Sequence, residues 1–183
     1  MEALTLLTSR HSNKKLGFPT PNRQQLEAIF QAALHVPDHG KLQPYAFFVF
    51  ENEGLIKFDY CLKKTISEFQ LDERTAQKAE NLARSPMIIA VVAKLQTDIE
   101  KVPAWEQMLT AGCAAYAIQL AANALGFDNV WLSGKWVNGA ALRELCHCQE
   151  KDKIIALIKI GTAETGNERE PKVVELEQFV HYV

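Results

Sequence analysis

The chain has 183 residues and a mass of 20.6 kDa, and its 20 Lys and Arg against 22 Asp and Glu give a net charge of −2. At about 150 residues per domain, this length predicts a single domain, 1–183, that can bury a core without disulfides or a structural metal. The near-neutral charge argues against a nucleic-acid or anionic-membrane surface, because both need an excess of basic residues. The longest apolar run, Met87 to Ala93, is too short to cross a bilayer.

The first fifty residues predict two helices and one strand. Residues 3–9 form a short helix whose leucines we expect to face the core, and Asn22 is a typical N-cap for a second helix that Pro37 ends. The aromatic, apolar run Tyr45 to Phe50 is typical of a buried strand. The leucines of the first helix are Leu4, Leu6 and Leu7.

The middle of the chain predicts more helix than strand. Residues 54–70 and 72–84 read as two helices, and Met87 to Ala93 reads as a second buried strand. An Ala-rich stretch from about 106 to 125 predicts a long helix, which Gly126 ends in the way that glycine commonly stops helices.

Two short strands and a short helix complete the predicted core. We expect strands at 130–132 and 154–160 and a helix at 139–147, followed by a tail, 164–183, that is polar at first and then apolar. Few strands among many helices predict an α+β fold in which helices cover the faces of a small, mixed and mostly antiparallel sheet.

The common catalytic and metal motifs are missing from this sequence. It has no Gly-rich phosphate loop after a strand, no Walker-type motif and no G-x-S-x-G elbow. Cys146-His147-Cys148 lacks zinc-knuckle spacing, and Pro37 interrupts the helix that His35 and His39 would need to share a metal. We therefore predict no metal site. The four cysteines show no secreted-type framework, so we expect a cytoplasmic protein.

The six residues from Arg10 to Lys15, R-H-S-N-K-K, form the strongest candidate for a ligand site. They offer up to four cationic side chains and a hydroxyl, which suits a phosphate because Arg can bind it through two hydrogen bonds. The same run also fits a solvated basic loop. A second polar loop, His35 to Pro44, leads directly into the strand at Tyr45, and loops fixed by buried strands often carry sites.

In this order the motifs resemble the start of the nitroreductase family of FMN oxidoreductases. A short helix ending in R-H-S-x-K is followed by Gln43-Pro44-Tyr45, as in that family. Residues 121–127 are similar to the end of the family's long helix, 131–134 to its flavin-contacting segment and 158–161 to its last core strand. The similarity covers nearly the whole chain, and the short length is similar to the compact NAD(P)H nitroreductases. The resemblance implies a three-layer α-β-α sandwich and an intertwined homodimer.

The resemblance also implies an FMN site shared between two subunits. The loop residues would hold the phosphate and ribityl chain, and Lys14 would lie at the pyrimidine edge of the ring, where a cation stabilises negative charge. Residues 131–133 would line the ring, partly through backbone groups, and the two histidines would come from the other subunit. His35 stands where the compact members commonly have Arg. The implied cofactor residues are Arg10, His11, Ser12, Lys14, His35, His39, Gln43, Trp131, Leu132 and Ser133.

An electron donor and a class of acceptor follow from the same resemblance. NADH or NADPH would deliver hydride to the flavin, and a nitroaromatic, a quinone or a similar electron-poor compound would then be reduced in a ping-pong reaction, with no catalytic side chain. A non-catalytic FMN-binding or sensing module and a cofactor-free interaction protein are the alternatives. The implied nucleotide segment is Ala121, Ala122, Asn123, Ala124, Leu125 and Gly126.

The C-terminal extension, 164–183, is expected to reach the partner subunit. Its end, Phe179 to Val183, is apolar, and addition to a partner's sheet would bury it, although docking on the chain's own core would also do so. The basic pair near the C-terminus of larger family members has no clear match here, and Arg169 and Lys172 are the nearest candidates.

Overall fold

The computed structural model describes residues 2–164 and 175–183. Arg169 and Lys172, and most of the junction between the core and the C-terminal end, lie outside these residues. Within them the helices are α1 Ala3–Ser9, α2 Arg23–Ala33, α3 Glu53–Glu68, α4 Glu73–Ala83, α5 Ala104–Ala124 and α6 Ala140–Leu145. The strands are β1 Leu16–Gly17, β2 Tyr45–Phe50, β3 Ile88–Ala93, β4 Asp128–Leu132 and β5 Lys153–Ala163.

The five strands form one sheet that is organised around β5. Strands β2, β3 and β5 lie side by side in that order, and β4 and β1 both pair with β5. Every pairing among the described strands is antiparallel, so the parallel component expected of a mixed sheet is absent from this part of the chain. At 11 residues, β5 is long enough to hold three neighbours.

Helices cover both faces of the sheet, which confirms the predicted three-layer α+β fold. On one face, α2 and α5 pack on side chains such as Ile89 and Val91 of β3. On the other face, α3, α4 and α6 pack on Ile88, Ala90 and Val92 of the same strand. All six residues of β3 are buried, because the strand lies between two helical layers.

The start and stop signals in the sequence act as predicted. Asn22 caps α2 in a capping box, accepting from the Gln25 backbone N–H at 3.0 Å, while the Gln25 side chain accepts from the Asn22 N–H at 2.9 Å. Gly126 follows α5 with a φ of +86°, a conformation that glycine adopts readily. Strand β1 was not predicted, because two residues carry no periodicity.

The expectation that the leucines of α1 face the core is wrong. Leu4 is 76% exposed and Leu7 is 47% exposed, and α1 buries none of its residues. Among the described elements α1 contacts α5, and the described residues leave Leu4 and Leu7 exposed. None of the helices in the described ranges is both long and apolar enough to span a membrane.

Candidate functional site

The basic loop between α1 and β1 is fixed to the start of β4 by one buried residue, Asn13. The backbone N–H of Asn13 donates to the Asn129 carbonyl at 3.0 Å, and its side-chain amide donates to the Asp128 carboxylate at 2.7 Å. Its side-chain oxygen accepts from the Lys15 N–H at 2.9 Å. Asn13 is fully buried, so these bonds lie away from water and hold the loop beside β4.

A pocket of about 480 Å³ opens where this loop, β4, β5 and the end of α4 meet. Three lysines and none of the described carboxylates line it, and its apolar wall includes a tryptophan ring. The volume lies in the range of small-molecule sites, and the charges favour an anionic or electron-rich ligand. Its lining residues are Lys14, Lys78, Asn81, Leu82, Ser85, Val130, Leu132, Ser133, Trp136 and Lys159.

Lys159 is one of two pocket lysines, with Lys78, that the sequence did not identify as site residues. Its ammonium group donates to the Lys14 backbone carbonyl at 3.0 Å, which joins β5 to the basic loop. Burial lowers the pKa of Lys159 below its usual 10.5, and Glu164 opposes this change by raising it. The only signal for Lys159 in the sequence was its place within the apolar run of β5. A lone lysine in such a run is usually interpreted as facing solvent.

The predicted ring-lining segment, 131–133, reaches the pocket only in part. Leu132 and Ser133 line it, but the Trp131 side chain lies on the opposite face of the sheet. There the Trp131 indole N–H donates to the Ile155 carbonyl at 3.1 Å. Alternation along a strand explains this arrangement, and it leaves only the backbone of Trp131 for the pocket side.

Two buried nitrogen atoms, one in the basic loop and one in the pocket wall, lack hydrogen-bond partners among the described residues. They are Nε2 of His11, in the basic loop, and Nε1 of Trp136, in the pocket wall. A Cβ on Gly134 would lie 2.6 Å from the Trp136 ring, so only glycine lets the chain pass so closely over the indole. Buried polar atoms are normally paired, so these two are suited to a ligand that supplies partners.

The second predicted loop lies apart from the pocket in this chain. Asp38 organises it by accepting from the backbone N–H groups of Leu42 at 3.2 Å and Gln43 at 2.7 Å. Lys41 and Gln43 have positive φ values of 54° and 47°. Residues other than glycine rarely adopt this backbone conformation, so contacts within the loop must hold it in place. The bonds of Asp38 explain how this conformation is held.

The two predicted histidines are exposed on this second loop. His39 Nδ1 lies 2.7 Å from the Glu106 carboxylate at the start of α5, and His35 Nδ1 lies 2.7 Å from the Gln31 carbonyl at the end of α2. Neither they nor Gln43 lines the pocket. Of the predicted cofactor residues, only Lys14, Leu132 and Ser133 line the pocket, and Arg10, His11 and Ser12 lie in the basic loop outside its lining.

The predicted nucleotide segment, 121–126, forms the end of α5. Ala122 is fully buried, and the Asn123 amide donates to the Phe127 carbonyl at 3.0 Å, so part of this segment has a structural role. The exposed part is 124–126. None of these residues lines the pocket.

The Cys-His-Cys segment lies at the end of α6. Burial raises the pKa of the Cys146 thiol to about 12, with further increases from Cys148 and Cys61, so Cys146 is a protonated core residue. Residues 2–164 and 175–183 contain no group of three side chains arranged to hold a metal ion.

Comparisons with known proteins identify the family of this chain. The model of the nitroreductase family matches residues 7–162. This chain belongs to the nitroreductase family. It is 60% identical over 184 residues to the "Putative NAD(P)H nitroreductase" of Haemophilus influenzae, a match that covers all of both chains. The family is one of oxidoreductases, and the equal length of this relative agrees with the compact size noted above.

Solved structures show the same fold at low sequence identity. A nitroreductase-like family protein from Bacillus cereus superimposes with a TM-score of 0.84 at 16% identity, over 100% of this chain and 96% of that one. A nitroreductase with bound FMN from Desulfitobacterium hafniense gives a TM-score of 0.72 at 20% identity, over 98% and 97% of the two chains. At these identities the likeness establishes the fold alone.

Proposed function

We propose that this protein is an FMN-dependent NAD(P)H oxidoreductase that works as a homodimer. The observation that carries the proposal is the Asn13 tether, which places the basic loop against β4 and brings Lys14 and Ser133 into one cation-lined pocket. The family membership and the FMN named in a structural neighbour support the same cofactor.

The residues fit FMN by their charge and by their unpaired atoms. Arg10, His11 and Ser12 would hold the phosphate and ribityl chain. Lys14 would face the pyrimidine edge of the ring, and Leu132 and Ser133 would line the ring. Among the described residues, neither Arg10 nor Lys14 takes part in an ion pair, so both charges are available to a ligand. Bound FMN would supply the chemistry of accepting hydride from a nicotinamide and passing electrons to an acceptor.

The outer face of α5 supports a homodimer. This helix is apolar on all sides, yet Trp105 is 58% exposed and Leu109 is 60% exposed. A groove of about 410 Å³ runs along this face beside Val36 and Pro37. An exposed apolar face of this kind is typical of an interface.

The position of this groove supports a cofactor site completed by two subunits. Val36 and Pro37 line it and lie between His35 and His39 in the chain. A second copy seated on α5 would therefore approach both histidines. Under this proposal, the two histidines and Gln43 lie apart from the pocket of their own chain because they contribute to the site that the dimer forms.

The C-terminal end supports the same assembly. Residues 175–183 are all exposed, and Tyr182 is 96% exposed although it belongs to the apolar end of the chain. In the proposed dimer the extension 164–183 reaches across to the partner and buries this end.

The proposed reaction uses NADH or NADPH as donor and an electron-poor acceptor such as a nitroaromatic or a quinone. The exposed residues 124–126 are proposed to contact the nucleotide, together with the rest of the segment that begins at Ala121. The side chains bind and orient the reactants, and none is assigned a proton transfer.

Titration with FMN tests this proposal. We expect flavin fluorescence to be quenched with saturation at one FMN per chain, and light scattering to give the mass of a dimer. Protein that does not bind FMN would refute the proposal, and a monomer that binds FMN fully would refute the shared site.

A further inference from the structure

We infer that Lys159 is a positioning residue for the flavin site, because it holds the Lys14 backbone in place and puts a second positive charge beside the pyrimidine edge of the ring. This inference rests on the proposed FMN site. Lys159 lies outside the basic loop, in the segment 158–161 that is similar to the family's last core strand, and the resemblance assigns no role to its side chain.

The sheet register places Lys159 on the pocket side. Lys159 lies opposite Val130 in the antiparallel pair of β4 and β5, and both residues line the pocket. Residues directly opposite each other in such a pair point to the same face. The neighbours Ile158 and Ile160 point the other way, into the core under α5. The Lys159 side chain is therefore directed to the pocket by the fold of the strand.

The contact with the loop explains how Lys159 would act. Its ammonium donates to the Lys14 carbonyl at 3.0 Å, across 145 residues of sequence. Asn13 fixes the loop one residue earlier, so the Lys14 backbone is held from two sides. The Lys14 side chain is thereby left to point its own charge into the pocket, which it lines.

The electrostatics of the pocket favour a ring that has gained negative charge. Lys14 and Lys78 line the pocket with Lys159, and Glu164 is the one described carboxylate found to act on Lys159. Half-burial strengthens the field of the Lys159 charge, because less water screens it. It also lowers the pKa of Lys159, so the effect on the flavin is expected to weaken as the pH rises through that value.

The test compares K159M with K159R and with K78M, a control lysine that lines the same pocket but is exposed. The Kd of oxidised FMN is measured by fluorescence quenching, and the reduction potential of the bound flavin is measured against a redox dye. We expect K159M to weaken binding of reduced FMN about tenfold more than binding of oxidised FMN, which lowers the potential. K159R should keep most of the potential, and K78M should change it less than K159M does.

Each outcome separates this inference from the proposed function. If wild-type protein binds and reduces FMN but K159M has an unchanged potential, the role of Lys159 is refuted and the proposed function stands. If wild-type protein does not bind FMN, both fail. If K159M does not fold, K159Q takes its place, and a potential equal to wild type in K159Q counts against the inference. An equal loss of affinity for oxidised and reduced FMN would show a structural role alone.

Discussion

Asn13 and Asp152 show how single buried polar residues position charged ones in this protein. Asn13 holds the basic loop against β4 through three hydrogen bonds. Asp152 accepts from the backbone N–H groups of Leu95 at 3.1 Å and Gln149 at 2.8 Å and pairs with the Lys94 ammonium. Both side chains are almost fully buried, and each links distant segments of the chain. Loss of a hydrogen-bond partner at either one would be destabilising, because a buried polar group cannot bond to water instead.

Substitution of Arg10 tests the phosphate contact. Arg10→Ala removes a charge-assisted hydrogen bond worth about 1.5–3 kcal/mol, so the Kd for FMN should rise by about ten- to a hundredfold. The thermal midpoint of the FMN-free protein should stay within about 1 °C, since Arg10 makes no ion pair among the described residues.

Arg23→Ala is the matched control for Arg10. Arg23 is an exposed arginine on α2 whose only ion pair within the described ranges is with Glu27 at 4.0 Å. It should leave FMN affinity unchanged. Equal FMN affinity in Arg10→Ala and wild type would rule out the phosphate role.

Substitution of Asp152 tests the buried ion pair. Burial opposes the charged form of Asp152, but the bonds from Lys94, Gln149 and Leu95 prevail and hold its pKa below the usual 3.8. Asp152→Asn leaves Lys94 partly buried without its partner, so the free energy of unfolding should fall by about 3 kcal/mol at pH 7. Asp59→Asn is the control, because the exposed Lys63–Asp59 pair should contribute about 0.5 kcal/mol.

The pH dependence of this difference has a definite sign. A carboxylate with a lowered pKa in the folded state stabilises the protein above the pKa of the unfolded chain and loses that contribution as the pH falls through the folded pKa. The gap between wild type and Asp152→Asn in urea unfolding should therefore be full at pH 6–7 and shrink below about pH 4. A gap that widens on acidification would contradict the ion-pair role.

At the scale of elements, the local signals in the sequence predict most of the fold. Asn22 marks the start of α2 through its side chain, and Gly126 marks the end of α5 through a backbone conformation that glycine adopts readily. The site depends instead on contacts between distant segments: Asn13 and Asp128 are 115 residues apart, and Lys159 and Lys14 are 145 apart. Neither hydrophobic periodicity nor motif spacing shows that two residues so far apart are in contact. The roles of Lys159 and Asn13 could therefore not be predicted from the sequence.

The junction of β1 and β5 offers a test at this scale. A Cβ at Gly161 would lie 2.5 Å from the Gly17 carbonyl oxygen and 2.9 Å from the Pro86 ring, and backbone cannot move aside as a flexible side chain would. Gly161→Ala should therefore lower the free energy of unfolding by about 1–3 kcal/mol in urea denaturation.

Gly54→Ala is the control for this junction. Its Cβ would make only ordinary contacts, near 3.9 Å, in the first turn of α3, so stability should stay the same or rise by less than about 1 kcal/mol. If Gly161→Ala were as stable as Gly54→Ala, close strand packing would not be the reason for glycine at 161.

At the scale of the whole molecule, the proposed dimer depends on apolar side chains that the described residues leave exposed. They are Leu4 and Leu7 of α1, Trp105 and Leu109 on the outer face of α5, and Phe179 and Tyr182 at the C-terminal end. Three of the predicted cofactor residues line the pocket and three lie on a separate loop, and the proposed dimer across α5 would bring these two groups together. In the sequence, the family resemblance suggested this assembly. The hydrophobic periodicity of one chain could not, because it carries no information on a partner copy.

Deletion of residues 176–183 tests the assembly. We expect the shortened chain to shift from dimer to monomer in light scattering and to lose FMN affinity together with dimerisation, because the proposed site is shared between two subunits. Leu109→Glu, on the outer face of α5, should have the same two effects without shortening the chain. A truncated protein that stays dimeric and binds FMN would show that the C-terminal end packs only locally.

Anaerobic reduction of the bound flavin tests the central claim most directly. FMN-loaded protein is mixed with NADH or NADPH in a stopped-flow instrument, and a quinone or nitroaromatic is then added. We expect at least one nucleotide to bleach the flavin absorbance and the acceptor to restore it. Bound flavin that neither nucleotide bleaches would contradict an oxidoreductase and identify a binding module instead.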